Sequence, residues 1–320
     1  MNYALRRVVH AGLLLLGASV LCFAFSALAP GDYFDEVKLN PQISKETVAA
    51  LRSQYGLDKP LALRYENWAN AVLRGNWGYS LSYNTPVSSL LKERAFNTLI
   101  LNFSALLLAW IIAIPLGILG AMRPASWINR IQMLGTSLLL ALPELVLALG
   151  LLYFAMRSHS LPVGGKVSAN HEHLASAARF SDTVVHLIGP AIILAIASLP
   201  ILVRHIRSSM VEALDKPFVK SARGHGISPW RILLRYALPA AANPWISLFG
   251  LSLGGLLSGS LLVEIIMGWP GLGPLLLDAT MSRDLYVVVG VVTASTIFMI
   301  FGSLLADLML LAIDPRVRAE

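Results

Sequence analysis

Charge is scarce in this sequence: only 13% of its 320 residues are Asp, Glu, Lys or Arg, against 56% hydrophobic. That balance excludes an ordinary water-soluble domain. Cysteine is nearly absent too. The single Cys22 cannot form an internal disulfide, and no CxxC pair or Cys/His cluster offers a thiolate metal site. It lies inside an apolar run and reads as a small core residue. No GxxxxGK[ST] stretch occurs, so the chain cannot supply a P-loop ATPase of its own.

What the sequence does have is apolar runs long enough to cross a bilayer, which predicts an all-α polytopic membrane protein. The formal net charge of +7 then reports topology rather than nucleic-acid binding. Arg6 and Arg7 precede a first run, Val8 to Ala29, longer than the apolar part of a signal peptide and so expected to be retained. Residues 30–94 are polar and aromatic. Two short helices are expected there, one from Ser44 to about Tyr55 and one after Asp58, with Pro60 near its first position and an end before Gly75. Further spans are expected at about Phe96–Ala121, Ile131–Met156, Thr183–Val203, Ala240–Val263 and Leu285–Leu311. The lysines and arginines gather in the segments that six spans would put inside, which places both termini in the cytoplasm. The expected organisation is therefore residues 1–29 as cytoplasmic N-terminus and first span, 30–95 as an extracytoplasmic helical segment, and 96–320 as a core of five spans.

The one long basic interruption of the apolar second half is Met210 to Pro239. It reads as two short helices outside the membrane. Asp215 and Pro217 suit the start of the first. Phe218, Val219 and Ala222 share one side of it, with Lys216, Lys220 and Arg223 on the other. Gly224 and Gly226 are expected to supply left-handed backbone at its end. Ser228 and Pro229 restart a helix carrying Trp230, Ile232, Leu233 and Tyr236, and Pro239 is expected to close the unit. A helix–glycine–helix elbow with a basic face suits docking, although attraction of a basic loop to anionic lipid is the plainer reading.

Other features carry weaker signals. Glu144, after Pro143, is an intramembrane carboxylate expected to face the protein interior or a watery path. His171-Glu172-His173 suggests metal ligation only if further ligands converge, and otherwise a solvated loop. Small residues recur at helical spacing in the fifth run at Ser247, Gly250, Gly254 and Ser258, with Gly255 and Gly259 as a second pair; they suit close helix packing or a pathway. Gly250 to Gly254, with Ser252 at its centre, matches the GxSxG of a hydrolase elbow. It sits in an expected continuous helix without a positioned Asp and His, which makes coincidence the better reading.

The Met210–Pro239 stretch resembles the cytoplasmic loop of ABC importer permeases: EAA, three residues, Gly, nine residues, then Ile-x-Leu-Pro. Here Lys220-Ser221-Ala222, Gly226 and Tyr236-Ala237-Leu238-Pro239 keep that spacing, with Lys220 departing from the glutamate as the dipeptide/oligopeptide branch usually does. The same branch has residues similar to Pro30-Gly31-Asp32, Gly78-Tyr79-Ser80, Glu264, Pro270-Gly271-Leu272-Gly273, Arg283-Asp284 and Asp314-Pro315-Arg316. The resemblance implies a type I importer permease of six transmembrane helices with a coupling loop over 208–239. That loop would couple to an ATPase through Lys220, Ser221, Ala222, Arg223, Gly224 and Gly226, with Trp230, Leu238 and Pro239. Candidate pathway or gate residues are Glu144, Ser252, Gly255, Gly259 and Glu264, with Pro270, Gly271 and Gly273. Implied partners are a second similar permease, two ABC ATPase subunits holding the ATP and magnesium, and an extracytoplasmic substrate-binding protein. This chain itself would bind no cofactor and catalyse no reaction. The competing readings are a stand-alone secondary transporter or channel built on Glu144, or an intramembrane enzyme built on the GxSxG or His-Glu-His stretches.

Overall fold

The computed structural model describes residues 3–28, 31, 33–34, 38, 44–54, 56–159, 161–255 and 259–313. Its contacts divide the chain into two units, Met1–Thr98 with Pro270–Ile300, and Leu99–Trp269 with Phe301–Glu320.

The first unit begins with α1 (Tyr3–Leu28), whose leucine-rich surface is mostly exposed, as a lipid-facing helix requires. It is anchored by aromatic packing: Phe23 lies 5.3 Å from both the Tyr65 and Trp68 rings of α3 (Leu61–Leu73). Ser19 and Tyr65 hydroxyls add a hydrogen bond of 2.9 Å. Between them lies α2 (Lys45–Gln54), where Ser44 Oγ accepts the Thr47 N–H in the manner of an N-cap. Pro60 precedes α3 as its N-cap, one position earlier than the sequence suggests.

A two-residue hairpin follows, β1 (Tyr79–Ser80) against β2 (Thr85–Pro86), with Tyr79 opposite Pro86. The periodicity of the sequence gives no hint of it, because two residues are too few to alternate. What holds the hairpin is Asp284. Its buried carboxylate accepts from Ser80 Oγ at 2.7 Å and from Ser82 N–H at 3.1 Å. Tyr83 donates to Asp278 at 3.1 Å, and burial together with that carboxylate raises the phenol above its ordinary range. At Pro270-Gly271-Leu272-Gly273 the chain starts a new helix, α12 (Leu272–Met281). Two side chains of α4 (Val87–Met122) fasten it: Asn97 donates to the Pro270 carbonyl at 2.8 Å, and Thr98 Oγ1 accepts the Leu272 N–H at 2.8 Å. Thus α4 starts nine residues before the expected Phe96, with polar residues on its first turns.

The second unit holds two departures from the expected spans. The third is not one helix. α5 (Trp127–Ala141) and α6 (Glu144–Ser158) meet at a 96° bend. Leu142 lies at ψ 122° and Pro143 at ψ 140°, because a proline ring pushes the residue before it out of helical geometry. The fifth is also interrupted: α10 (Leu238–Gly255) ends before α11 (Leu261–Ile266) begins. Ser258 of the small-residue stripe lies outside the described residues, as does the tail from Asp314.

The fourth span is longer than expected. α7 (Ser176–Asp215) runs unbroken for 40 residues, about 60 Å at helical rise, through Pro190 and Pro200. Its Ile206 and Met210 are buried in a core with Trp110, Leu233 and Trp245. Gly117 makes this packing close, since a Cβ there would stand 2.5 Å from Ile206 Cγ2. The last helix is α13 (Leu285–Ile313). Among the described residues four helices are individually long and apolar enough to cross a membrane, and the bent pair makes a fifth candidate.

Gly117→Val should lower stability by about 1–3 kcal/mol, the usual cost of overpacking a tight contact. Gly150→Ala, where the added Cβ meets nothing within 4 Å, should not. Thermal melts of the two variants in detergent, read by size-exclusion, check this.

Candidate coupling site

The expected elbow is present, and its local geometry is set by four kinds of residue. Asp215 is the last residue of α7 rather than a cap; Lys216, extended at ψ 145°, takes the N-cap place without a side-chain bond. Pro217 then opens α8 (Pro217–Gly224) at the position where its missing N–H is harmless.

The turn after α8 is a Schellman motif. Ile227 N–H bonds to Ala222 O and Gly226 N–H to Arg223 O, at 3.2 and 3.1 Å. Gly226 carries the left-handed φ of +74°, whereas Gly224 is still helical, correcting its predicted role. His225 reinforces the turn through Nδ1 and the Ser221 carbonyl, 2.8 Å apart.

Ser228 and Pro229 restart the chain as predicted, into the one-turn α9 (Pro229–Ile232). Its continuation differs. A wide π turn, Leu233–Ala237, leads directly into α10, and Pro239 is that helix's second residue rather than a stop. Leu238 N–H bonds five residues back, to Leu233 O. Proline has no N–H to continue the ladder, and a π turn is one way a helix absorbs a local misfit.

Inside the elbow, Val219 and Ala222 of α8 pack on Ile232, with Leu214, Ile227 and Tyr236 around them. Leu238 packs with the core beneath. Phe218 does not join the buried side as expected; it is 45% exposed, and Trp230 is 65% exposed. Lys220, Ser221, Arg223 and Pro239 are exposed as well. Lys220 Nζ lies 2.7 Å from Asp215 and Lys216 Nζ 3.9 Å from Glu212, exposed pairs of small energetic weight. The elbow therefore shows two large aromatic side chains and a basic rim, on a base closed by its own backbone bonds.

The other candidates lie apart from this surface in sequence and environment. Glu144 is the first residue of α6, and its Oε1 is buried without a hydrogen-bond partner among the described residues. Glu264 is 0% exposed. Ser260 Oγ donates to its Oε1 at 3.0 Å while accepting from Asn102 Nδ2 at 2.9 Å. Asn102 and Ser260 were not predictable, since an Asn or Ser in an apolar run gives no pattern until its neighbour across the fold is known. Ser252 turns its hydroxyl to the Leu248 carbonyl at 2.8 Å within continuous helix, without the strand-to-helix turn of a hydrolase elbow. Gly255 ends α10, and Gly259 has open space around it. Pro270, Gly271 and Gly273 belong to the other unit, where Gly271 caps α12 and Gly273 is buried in it. His171 opens a short 3₁₀ turn and lies 2.7 Å from Asp182, which also accepts the Ser168 N–H. No three potential metal-ligating side chains converge among the described residues.

Residues 113–319 match the model of the binding-protein-dependent transport system inner membrane component, and residues 1–102 match the N-terminal region of the same class of membrane component. The chain belongs to this permease family. It is a membrane component of an ABC transporter, without catalytic activity of its own. It is 34% identical to the oligopeptide transport system permease protein AppB of Bacillus subtilis, over 98% of both chains. The dipeptide transport system permease protein DppB of Escherichia coli K12 is 32% identical over 99% of each. The probable D,D-dipeptide permease DdpB of the same strain is 33% identical, over 95% of this chain and 94% of that one. In fold the permease is similar to a chain of the inward-facing MetNI methionine ABC transporter, with a TM-score of 0.57 and 16% identity over 70% of this chain and 96% of that one. Its architecture is that of a type I ABC importer permease.

Because nothing lies within 4 Å of a Cβ built on Gly226, substitution there should cost only backbone strain. Gly226→Asn should be mild, Gly226→Ala should cost about 1 kcal/mol, and β-branched Gly226→Val more. Melting temperatures of the three permease variants should fall in that order.

Proposed function

We propose that this permease carries peptides, or closely related small solutes, across the membrane as one half of an ATP-driven pathway. The peptide assignment rests on relatives named as oligopeptide and dipeptide permeases over nearly their whole length. The coupling assignment rests on one observation: an elbow that exposes Phe218 and Trp230 within a basic rim while its base is buried and internally bonded. Exposed aromatic anchors beside arginines are the usual makings of an interface hot spot.

In this reading the elbow, residues 208–239, sits in a groove of an ABC ATPase subunit on the cytoplasmic side, with both termini on that side. A second similar permease, two ATPase subunits holding ATP and magnesium, and an extracytoplasmic binding protein complete the assembly. Lys220, Ser221, Arg223 and Trp230 form the contact surface. Ala222, Gly226 and Leu238 shape it. ATP-driven closure of the ATPase pair then moves the elbow as a rigid body, and α7 and α10, which flank it, carry the displacement into the spans. A ligand-driven change of this kind requires contacts that differ between the two states. The elbow is where this chain would make them. Glu144, Ser252, Gly255, Gly259, Glu264, Pro270, Gly271 and Gly273 are proposed as pathway or gate positions. A stand-alone transporter would leave the elbow's exposed aromatics without a purpose.

Trp230→Ala should weaken association with the ATPase subunits by about 30-fold, the scale of a 2 kcal/mol hot spot, with the fold intact by melting temperature. Pull-down of the ATPase subunits and peptide uptake in proteoliposomes measure it. Gly226→Asp should impair uptake in an assembled complex. Uptake by the reconstituted permease alone, with no ATPase present, would refute the proposal.

A further inference from the structure

One sizeable cavity in the described structure is not at the elbow. It lies wholly within the first unit, between the second half of α1 and the first half of α13, and measures about 890 Å³. Its two ends differ in chemistry. Leu21 and Phe25 of α1 and Val288 and Val292 of α13 line it with apolar surface, and Leu21 and Phe25 are largely exposed. Toward α3 and the start of α13 the lining includes Arg64 and Arg283, with Arg52 of α2 also present.

Arg64 and Arg283 share this lining with one carboxylate. Asp284, which also lines the cavity, has its Oδ2 committed to Ser80 Oγ and the Ser82 N–H. Arg64 Nε is buried and has no hydrogen-bond partner among the described residues. A buried guanidinium donor without an acceptor costs stability, and a ligand that supplies one recovers it.

We infer that this cavity is a binding site for an anionic phospholipid, its phosphate on Arg64 and Arg283 and an acyl chain between α1 and α13. The size supports an extended amphiphile over a bare anion, since the volume is near the top of the roughly 300–1,000 Å³ range of small-molecule sites. The placement supports it too, because the apolar walls belong to two helices that cross lipid. A guanidinium beside an apolar wall favours an anionic phosphate over an uncharged group through charge-assisted hydrogen bonds. The bound lipid would brace α1, which packs on the unit through the Phe23, Tyr65 and Trp68 cluster and its neighbours. This site is independent of the elbow and of the transported solute.

The test is native mass spectrometry of the full-length permease, extracted in mild detergent with its accompanying subunits. It is incubated with phosphatidylglycerol or phosphatidylcholine of the same acyl chains, with glycerol 3-phosphate as the headgroup-only competitor. Phosphatidylglycerol should be retained at least about tenfold better than phosphatidylcholine, as expected for a charge-assisted contact. Glycerol 3-phosphate should not displace it. Arg64→Gln combined with Arg283→Gln should abolish the preference. Ala18→Trp, which fills the apolar part and leaves the arginines, should reduce retention of both lipids. Equal retention of the two lipids, an unchanged preference in the arginine variant, full retention in Ala18→Trp, or displacement by glycerol 3-phosphate would each overturn the inference.

Discussion

A backbone N–H or C=O buried away from water must find its partner within the protein, and each failure costs about as much as a lost hydrogen bond. The helix breaks of this permease are organised by that constraint. Where α12 begins, the Leu272 N–H is taken by Thr98 of a distant helix. The Pro270 carbonyl just before it is taken by Asn97. The Met267 carbonyl, at the end of α11, accepts from Gly165 N–H at 3.0 Å. At the α5–α6 bend the interrupting residue is Pro143, which has no N–H to lose. Irregular backbone is placed where a side chain, a loop or a proline removes the penalty.

The same logic explains what was legible in the sequence. Apolar runs show the helices, since length and hydropathy are properties of contiguous residues. Gly226, Ser228 and Pro229 were legible because caps and turns act over three or four positions. Gly224 was misjudged for a physical reason: two glycines two apart both permit left-handed backbone, and only the bonding register of the turn selects one. The bend at Pro143 was not anticipated, because a proline inside an apolar run is compatible with one continuous span, and the angle depends on what each half packs against. The reach of α7 past Arg204 and Arg207 was hidden because those arginines look like a membrane boundary. In the folded chain Arg207 Nε donates to Asn129 at 3.1 Å, and the helix continues beneath it.

The polar contacts that matter most were the least legible. Asn102, Ser260 and Glu264 form a buried chain across 162 residues of sequence, from Asn102 to Glu264. Asp284 holds a hairpin 204 residues away. Such pairs leave no periodicity, and a single Asn, Ser or Asp in an apolar run is compatible with many partners. The resemblance to importer permeases marked Glu264 and Arg283-Asp284 as notable; only the fold shows what Asp284 and Ser260 touch.

The Schellman closure after α8 has one further consequence. A handle whose shape is fixed by its own main chain loses little conformational freedom when it is gripped. In the proposed coupling, free energy from the grip would then not be consumed in folding a loose segment at every cycle. Such a handle would not yield either: force applied to it would reach α7 and α10 undiminished by slack, and a short stroke in a soluble machine would suffice to tilt rods embedded in lipid.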